Sequence, residues 1–232
     1  MKGYIKRLIR EGLIDKDINE EAFINLENEL TEDYPSTFDM DKFKSLTSFA
    51  SRVNYCEEHL QRISSGSSRI VYKIDDEKVL KLAKNKKGLA QNEVESEFSG
   101  YYDISDIVAR VFDVDPDNLW VEMELARKLT KGNFKQITGF NWEDYVKVIH
   151  NYGVDHLYGV RGFKYDIDKT IVEEMWENEF TYGILTFIGG YEIPTGDLIR
   201  ISTYGVVKRG GEDSIVMIDY GLTSDVYSSY YS

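Results

Sequence analysis

With 232 residues the chain is long enough to bury a sizeable core as one large domain or two lobes, and its 42% apolar and 30% charged residues are ordinary for a folded soluble protein. Its 41 acidic residues outnumber 28 basic ones, giving a net charge of -13 that repels phosphate backbones and anionic membranes; this argues against general nucleic-acid binding and against a membrane partner. The only cysteine is Cys56, which excludes an internal disulfide and a Cys-based zinc site and suits a reducing cytosol, while the opening MKGYIKRLIREGLID interrupts its apolar pattern with charges and reads neither as a signal peptide nor as a membrane span. A cytoplasmic setting is expected.

Residues 1–62 read as a helical extension. Tyr4, Ile5, Leu8 and Ile9 recur at helical spacing, Phe23, Ile24 and Leu26 begin a second group, and Phe43, Leu46, Phe49, Val53 and Leu60 mark a longer third helix beyond the break at Pro35 and Ser36. This stretch carries no chemistry. From Ile63 the pattern changes to short β-rich segments. ISSGSSRIVYKI places a Ser/Gly turn before an alternating strand, and the turn Asp75-Asp76-Glu77 leads into KVLKLA, a second strand carrying Lys81. A hairpin tip of Ser64, Ser65, Gly66, Ser67 and Ser68 can bring backbone N–H groups close to an anion, and a strand lysine beyond it adds a positive charge. The helix-prone run GLAQNEVESEF follows, with Glu93, Glu95 and Glu97.

IVARVFDV and LWVEMELA read as two more strands around Asp113–Asn118, which is turn chemistry. Asp113, Asp115, Asp117 and Glu124 mimic the spacing of a calcium loop, but Asn118 replaces the required glycine, Pro116 intrudes, and the flanks are strands; a tight hairpin is the expectation. FNWEDYVKVIHNYG (140–153) is amphipathic at helical spacing, residues 154–168 form a loop with Gly159 and Gly162, and Asp168 caps a helix that is expected to run unbroken to Gly190. His59, His150 and His156 share no metal-ligand spacing and read as structural or solvated. Near the C-terminal end Thr195-Gly196-Asp197-Leu198 offers a turn acid, VVKRGGEDSIVMI reads as a hairpin turning at Gly210-Gly211, and its second strand delivers Asp219 to the turn Asp219-Tyr220-Gly221. A strand end fixes a carboxylate better than a mobile loop, and hard cations such as Mg²⁺ take one or two carboxylates plus phosphate oxygens.

Taken in this order the motifs resemble the protein-kinase-like superfamily, including aminoglycoside-phosphotransferase-type kinases and small putative kinases of bacteriophages. Ser64, Gly66, Arg69 and Val71 stand where such kinases carry a Gly-x-Gly-x-x-Gly-x-Val loop, with only the middle glycine kept; Val79-Leu80-Lys81 resembles the Val-Ala-Ile-Lys strand. Thr195-Gly196-Asp197-Leu198 is similar to His-Gly-Asp-Leu, and Asp219-Tyr220-Gly221 to Asp-Phe-Gly. The resemblance implies an α+β, two-lobed protein-kinase-like fold: residues 1–62 as the helical extension, 63–126 as the β-rich small lobe, and 127–232 as a truncated helical lobe. It implies ATP and Mg²⁺ as cofactors, with Ser64–Ser68 and Val71 over the nucleotide, Lys81 held by Glu95 on the phosphates, and Glu124 and Ala126 in a hinge that pairs with adenine. Asp219 with Ser202 would hold the metal, and Asp197 would align an acceptor hydroxyl of a protein or small molecule. Ser202 stands where the family has a metal-binding Asn, and Thr195 replaces the usual His. These departures and the missing peptide-docking helices leave a second reading open, a pseudokinase that binds nucleotide or protein without transfer; transfer of AMP is a third. The N-terminal helices would then cover the surface that the missing helices protect elsewhere.

Overall fold

The structure is a computed structural model describing residues 34–158, 163–191 and 193–231. The helices read around Tyr4–Ile9 and Phe23–Leu26, and the loop glycines Gly159 and Gly162, lie outside the described residues. The fold is α+β, and its described residues divide into two compact units, one reaching to Leu89 and including Val111–Glu124, the other formed by Ala90–Arg110 and the chain from Leu125 onward.

The first unit layers two helices, α1 (Met40–Ser45) and α2 (Phe49–His59), on an antiparallel sheet. Its strands are β1 (Gln61–Ser65), β2 (Arg69–Lys73), β3 (Lys78–Ala83), β4 (Val111–Val114) and β5 (Trp120–Glu124), in the order β1-β2-β3-β5-β4. The apolar spacing from Phe43 to Leu60 suggests one helix, but the chain breaks it at Leu46–Ser48. Ser48 is extended and accepts from Ser51 N–H, while the Ser51 hydroxyl accepts from Ser48 N–H, so a capping box starts a new helix where periodicity alone would continue the old one. Phe43, Tyr55, Cys56 and Leu60 bury against Ile70, Tyr72, Leu80, Leu82 and Trp120. The described part of the N-terminal extension is therefore one of the two layers of this unit's own core. It covers this sheet.

Strand alternation sorts the sheet's two faces. Tyr72 pairs with Leu80 and Leu80 with Glu122, so these share the face that meets the helices; Val71, Lys81 and Val121 are paired on the opposite face. On the helix side Tyr34 Oη donates to Glu122 Oε1 at 2.9 Å. Burial raises the Glu122 carboxyl above its ordinary value, Asp113 adds to this, and the Tyr34 hydrogen bond with Lys78 and Lys44 opposes it.

The unit boundary falls within α3 (Lys86–Phe98). The second unit continues with β6 (Arg127–Lys128), α4 (Lys131–Thr138), α5 (Trp142–Gly153), a π-helical turn at Val154–Tyr158, α6 (Lys169–Glu177) and α7 (Glu179–Tyr191). The single helix expected from Asp168 to Gly190 is two: Asn178 leaves helical geometry with ψ 123°, and its side chain accepts from the N–H and hydroxyl of Thr181, ending one helix and starting the next. A short helix α8 (Thr195–Leu198), a 3₁₀ turn (Ile201–Thr203) and the hairpin β7 (Tyr204–Arg209) to β8 (Glu212–Met217) follow, then α9 (Ser224–Tyr231). Gly210 and Gly211 have φ of 60° and 90°, the left-handed pair that a two-residue hairpin turn requires. Residues 107–109 are not the start of a strand toward β4; Met217 N–H donates to Ile107 O at 2.7 Å and Ala109 N–H to Met217 O at 2.8 Å, so they pair with the end of β8. Among the described residues no helix is long and apolar enough to cross a membrane. The order of elements is the one the kinase-like resemblance implies.

The Glu122 carboxyl gives a signed expectation. A folded value raised above the unfolded one contributes stability that is present at low pH and lost as pH rises from the ordinary carboxylate range through the raised value. Glu122→Gln, which keeps an acceptor for Tyr34, should melt level with wild type at about pH 3, below the ordinary range, and above it at neutral pH; thermal unfolding followed by circular dichroism across that span reads the difference.

Candidate functional site

At the tip of the β1–β2 hairpin, Gly66 N–H donates to Arg69 O at 2.9 Å and closes the turn. Ser64, Ser65, Gly66 and Ser67 are exposed, whereas Ser68 is buried. The tip's carbonyls are tied down by the residues that follow β3. Lys84 N–H donates to Ser68 O at 2.8 Å, Lys84 Nζ bonds Gly66 O, and Asn85 Nδ2 donates to Ser67 O at 3.1 Å. Gly88 completes this clamp, because a Cβ there would lie 2.5 Å from Ser68 O. These bonds hold the tip's carbonyls back on one side, while Ser64, Ser65, Gly66 and Ser67 stay exposed. Lys84 and Asn85 were missed in the sequence, where their only signal is a Lys-Asn pair directly after the lysine strand.

Lys81 is 5% exposed, on the sheet face away from α1 and α2, and Val71 sits beside it in register. Glu124 and Ala126 are half-buried; Glu124 pairs with Lys78, and Ala126 lies so close to β7 that a Cβ on Gly205 would come within 2.4 Å of it.

In the second unit the acid-bearing turns come together. Of the three glutamates of α3, Glu93 and Glu97 are exposed and Glu95 is fully buried. Glu95 Oε1 accepts from Tyr220 N–H at 3.2 Å, and the Tyr220 hydroxyl donates to Glu95 O at 3.3 Å and Ala109 O at 3.0 Å. Gly221 is required there by space, since a Cβ would meet Gln91 O at 2.5 Å. The Asp-Tyr-Gly turn is thus clamped on α3, with Tyr220 buried and Asp219 exposed at the end of β8. This tie between Glu95 and Tyr220 carries no sequence signal, as the two lie 125 residues apart.

Asp197 sits in the short helix α8, half-buried, with Oδ1 3.1 Å from the Arg200 guanidinium. Burial raises its carboxyl above the ordinary value, the Arg200 charge opposes this, and the charge of Asp219 adds to the rise. The two acids therefore stand within each other's field. Thr195 is buried, and a Cβ on Gly153 of α5 would lie 2.3 Å from its methyl group, so it serves as a packing residue. Ser202 is exposed in the 3₁₀ turn.

Three hydroxyls brace this region. Thr203 Oγ1 donates to Asp197 O at 2.7 Å, and Tyr204 Oη donates to Leu198 O at 2.8 Å. Tyr145 Oη lies 2.8 Å from Tyr204 Oη. A phenol has one proton and Tyr204 spends it on a carbonyl, which can only accept, so Tyr145 is the donor in that pair. Burial holds both phenols above their ordinary value, keeping them protonated.

Among the described residues no group of three or more His, Cys, Asp and Glu side chains is placed to hold a metal. The exposed Asp219 carboxylate, with the exposed Ser202 hydroxyl, supplies the hard oxygens that Mg²⁺ takes when phosphate oxygens complete its shell.

No family model matches the chain, and no curated protein matches it. Solved structures with a similar course include aminoglycoside 2'-phosphotransferase-IIIa in its GDP complex, at 12% identity and TM-score 0.36 over 82% of this chain and 73% of that one. SAICAR synthase from Saccharomyces cerevisiae aligns at 12% identity and TM-score 0.34 over 72% of this chain and 74% of its own. Ethanolamine kinase from Plasmodium vivax aligns at 12% and 0.30 over 90% and 70%. Scores of this size carry no argument; the chain's own topology and geometry do.

The hydroxyl chain orders the cost of removing its members. Tyr204→Phe strands the Leu198 carbonyl and the Tyr145 hydroxyl and should cost about 2 kcal/mol or more, while Tyr145→Phe removes one donor and should cost about 1 kcal/mol. In the double variant only the Leu198 carbonyl is stranded, so the double loss should fall below the sum of the singles. Denaturant unfolding of the three variants checks both the order and the shortfall.

Proposed function

We propose that the chain is an ATP- and Mg²⁺-dependent phosphotransferase acting on a hydroxyl of a protein or small molecule. The observation that supports the reading is the pair Asp197 and Asp219, one acid in the short helix α8 and one just beyond β8, with the Asp219 charge felt at the Asp197 carboxyl. Holding like charges close costs free energy unless a cation or a transferred proton uses them. In this reading Ser64–Ser68 offer N–H groups to phosphate oxygens, Val71 packs on the nucleotide, and Lys81 neutralises phosphate charge with Glu95 as its partner. Glu124 and Ala126 offer backbone groups to the base. Asp219, with Ser202 or a water, takes Mg²⁺, and the bound ion supplies charge neutralisation of the leaving diphosphate. Asp197 aligns the acceptor hydroxyl and receives its proton as the bond from the γ-phosphorus to the acceptor oxygen forms and the bond to ADP breaks. Positioning and charge neutralisation are the whole of the catalysis, so each charged part should matter by orders of magnitude. The lone cysteine and acidic composition favour a cytoplasmic setting, that of the host if the chain is phage-encoded.

A second reading, a kinase-like module that binds nucleotide or protein without transfer, draws on a specific observation. The carboxylate of Asp197 is already engaged by Arg200 at 3.1 Å, as a retired base would be.

Two experiments test these readings. ATP with Mg²⁺ should raise the melting temperature, and Asp219→Asn and Lys81→Ala should abolish the rise; no shift at millimolar nucleotide removes both readings. Incubation with γ-labelled ATP and a cell lysate should then label an acceptor, with Asp197→Ala losing at least about 100-fold of the rate. Label carried from α-labelled but not γ-labelled ATP identifies AMP transfer, and binding without any label leaves the module.

A further inference from the structure

We propose that Thr203 is the positioning residue that sets the spacing between Asp197 and Asp219. The inference rests on the phosphotransferase reading and deepens it. Thr203 is 4% exposed and spends its hydroxyl on one of the segments that carry the acids and its carbonyl on the other. Its hydroxyl donates to the main-chain carbonyl of Asp197 at 2.7 Å, and its own carbonyl accepts from the N–H of Ile218, the residue before Asp219, at 2.8 Å. Its N–H donates to Arg200 O at 3.0 Å, closing the turn between them. A single residue thus holds both backbones, one through the side chain and one through the main chain.

The bond to Ile218 is a main-chain bond that any residue could accept. The bond to Asp197 exists only because residue 203 has a hydroxyl, and a β-branched residue holds that hydroxyl in few rotamers. Asp197 O also accepts the Arg200 N–H at 3.0 Å, a bond inside its own turn; the Thr203 hydroxyl is the one that ties that carbonyl to the chain entering β7. Tyr204 fixes the next carbonyl, Leu198 O, and so steadies the far end of α8 without touching Asp197. Loss of the Thr203 hydroxyl leaves Asp219 in place and lets the Asp197 turn drift, by a displacement small for folding and large for transfer, since about 1 Å of misplacement costs on the order of 100-fold in rate. Thr203 touches no substrate atom; it acts through Asp197.

The test uses the full chain with Thr203→Val, which keeps shape and loses the donor, and Thr203→Ser, which keeps the donor. Thr203→Val should show the wild-type melting shift with ATP and Mg²⁺ and an ATP KM within about 3-fold, while kcat falls about 10- to 100-fold. Thr203→Ser should recover most of that loss. Wild-type kcat in Thr203→Val overturns the proposal, as does a loss in both variants that tracks the fraction folded. If the wild-type chain transfers no phosphate at all, the phosphotransferase reading fails and the spacing claim is read another way, by Mn²⁺ titration followed by water-proton relaxation. Weaker Mn²⁺ binding in Thr203→Val, with Thr203→Ser and wild type alike, supports it, and equal binding in all three overturns it.

Discussion

The second unit is organised by the grip on the last residues of β8. Met217 lies opposite Tyr204 on one edge, while on its other edge its N–H and carbonyl are both taken by Ile107 and Ala109. One residue later, Ile218 N–H is held by Thr203. Asp219 is exposed, but the chain that delivers it is fixed on both sides within two residues. Such fixing is what an acid needs if it is to stand near a second one, because the repulsion between Asp219 and Asp197 would otherwise be relieved by moving either turn. The backbone bonds resist that relief, and Arg200 offsets part of the repulsion from the Asp197 side.

The same stretch is held from below by α3. Tyr220 buries its ring and spends its hydroxyl on two carbonyls, one of them Glu95 O, while Glu95 Oε1 takes its N–H and Gly221 lies against the Gln91 backbone. These bonds tie the turn after β8 to the helix. A carboxylate buried in a helix is costly unless it is bonded. The Tyr220 N–H supplies such a bond to Glu95, so its burial has a structural reason that stands apart from any role toward a nucleotide.

Where the chain's order was legible, the signal was periodicity ended by turn chemistry. The alternation in RIVYK and KVLKLA, the glycine pair at Gly210-Gly211, and the apolar run into Asp219 each set an element that the structure contains. Reading failed where a side chain overrode periodicity. Ser48 and Asn178 each interrupt an apolar pattern that continues through them, and a capping hydrogen bond leaves no trace in hydrophobic spacing. The Val108 segment failed for a different reason, since its partner Met217 lies over a hundred residues on and an apolar strand does not announce its neighbour. The acids of the candidate site stand out in sequence because they interrupt apolar runs or sit beside glycine. The hydroxyls that hold them do not, because Thr and Tyr are common and only geometry separates a brace from a bystander.

Thr195 and the hydroxyls that follow it form a consistent set. Thr195 fills the notch that Gly153 leaves in α5, and the fit is so close that even a methyl group on Gly153 would overlap it. An imidazole at 195 needs more room than that notch has, so the absence of the usual His follows from packing chosen around a small residue. Further along, Thr203 and Tyr204 hold main-chain carbonyls with hydroxyls, and Tyr145 extends the chain into α5. The turn that carries Asp197 is thus built from hydroxyl-to-carbonyl bonds inside a buried aromatic cluster in which Phe134, Trp142 and Phe180 surround Tyr145 and Tyr204. Such bonds are neutral and short-ranged, and in a low-dielectric interior they are strong without placing a further charge beside the two acids. A site already carrying two like charges gains from bracing of that kind, because it fixes the backbone while the compensating charge is left to Arg200.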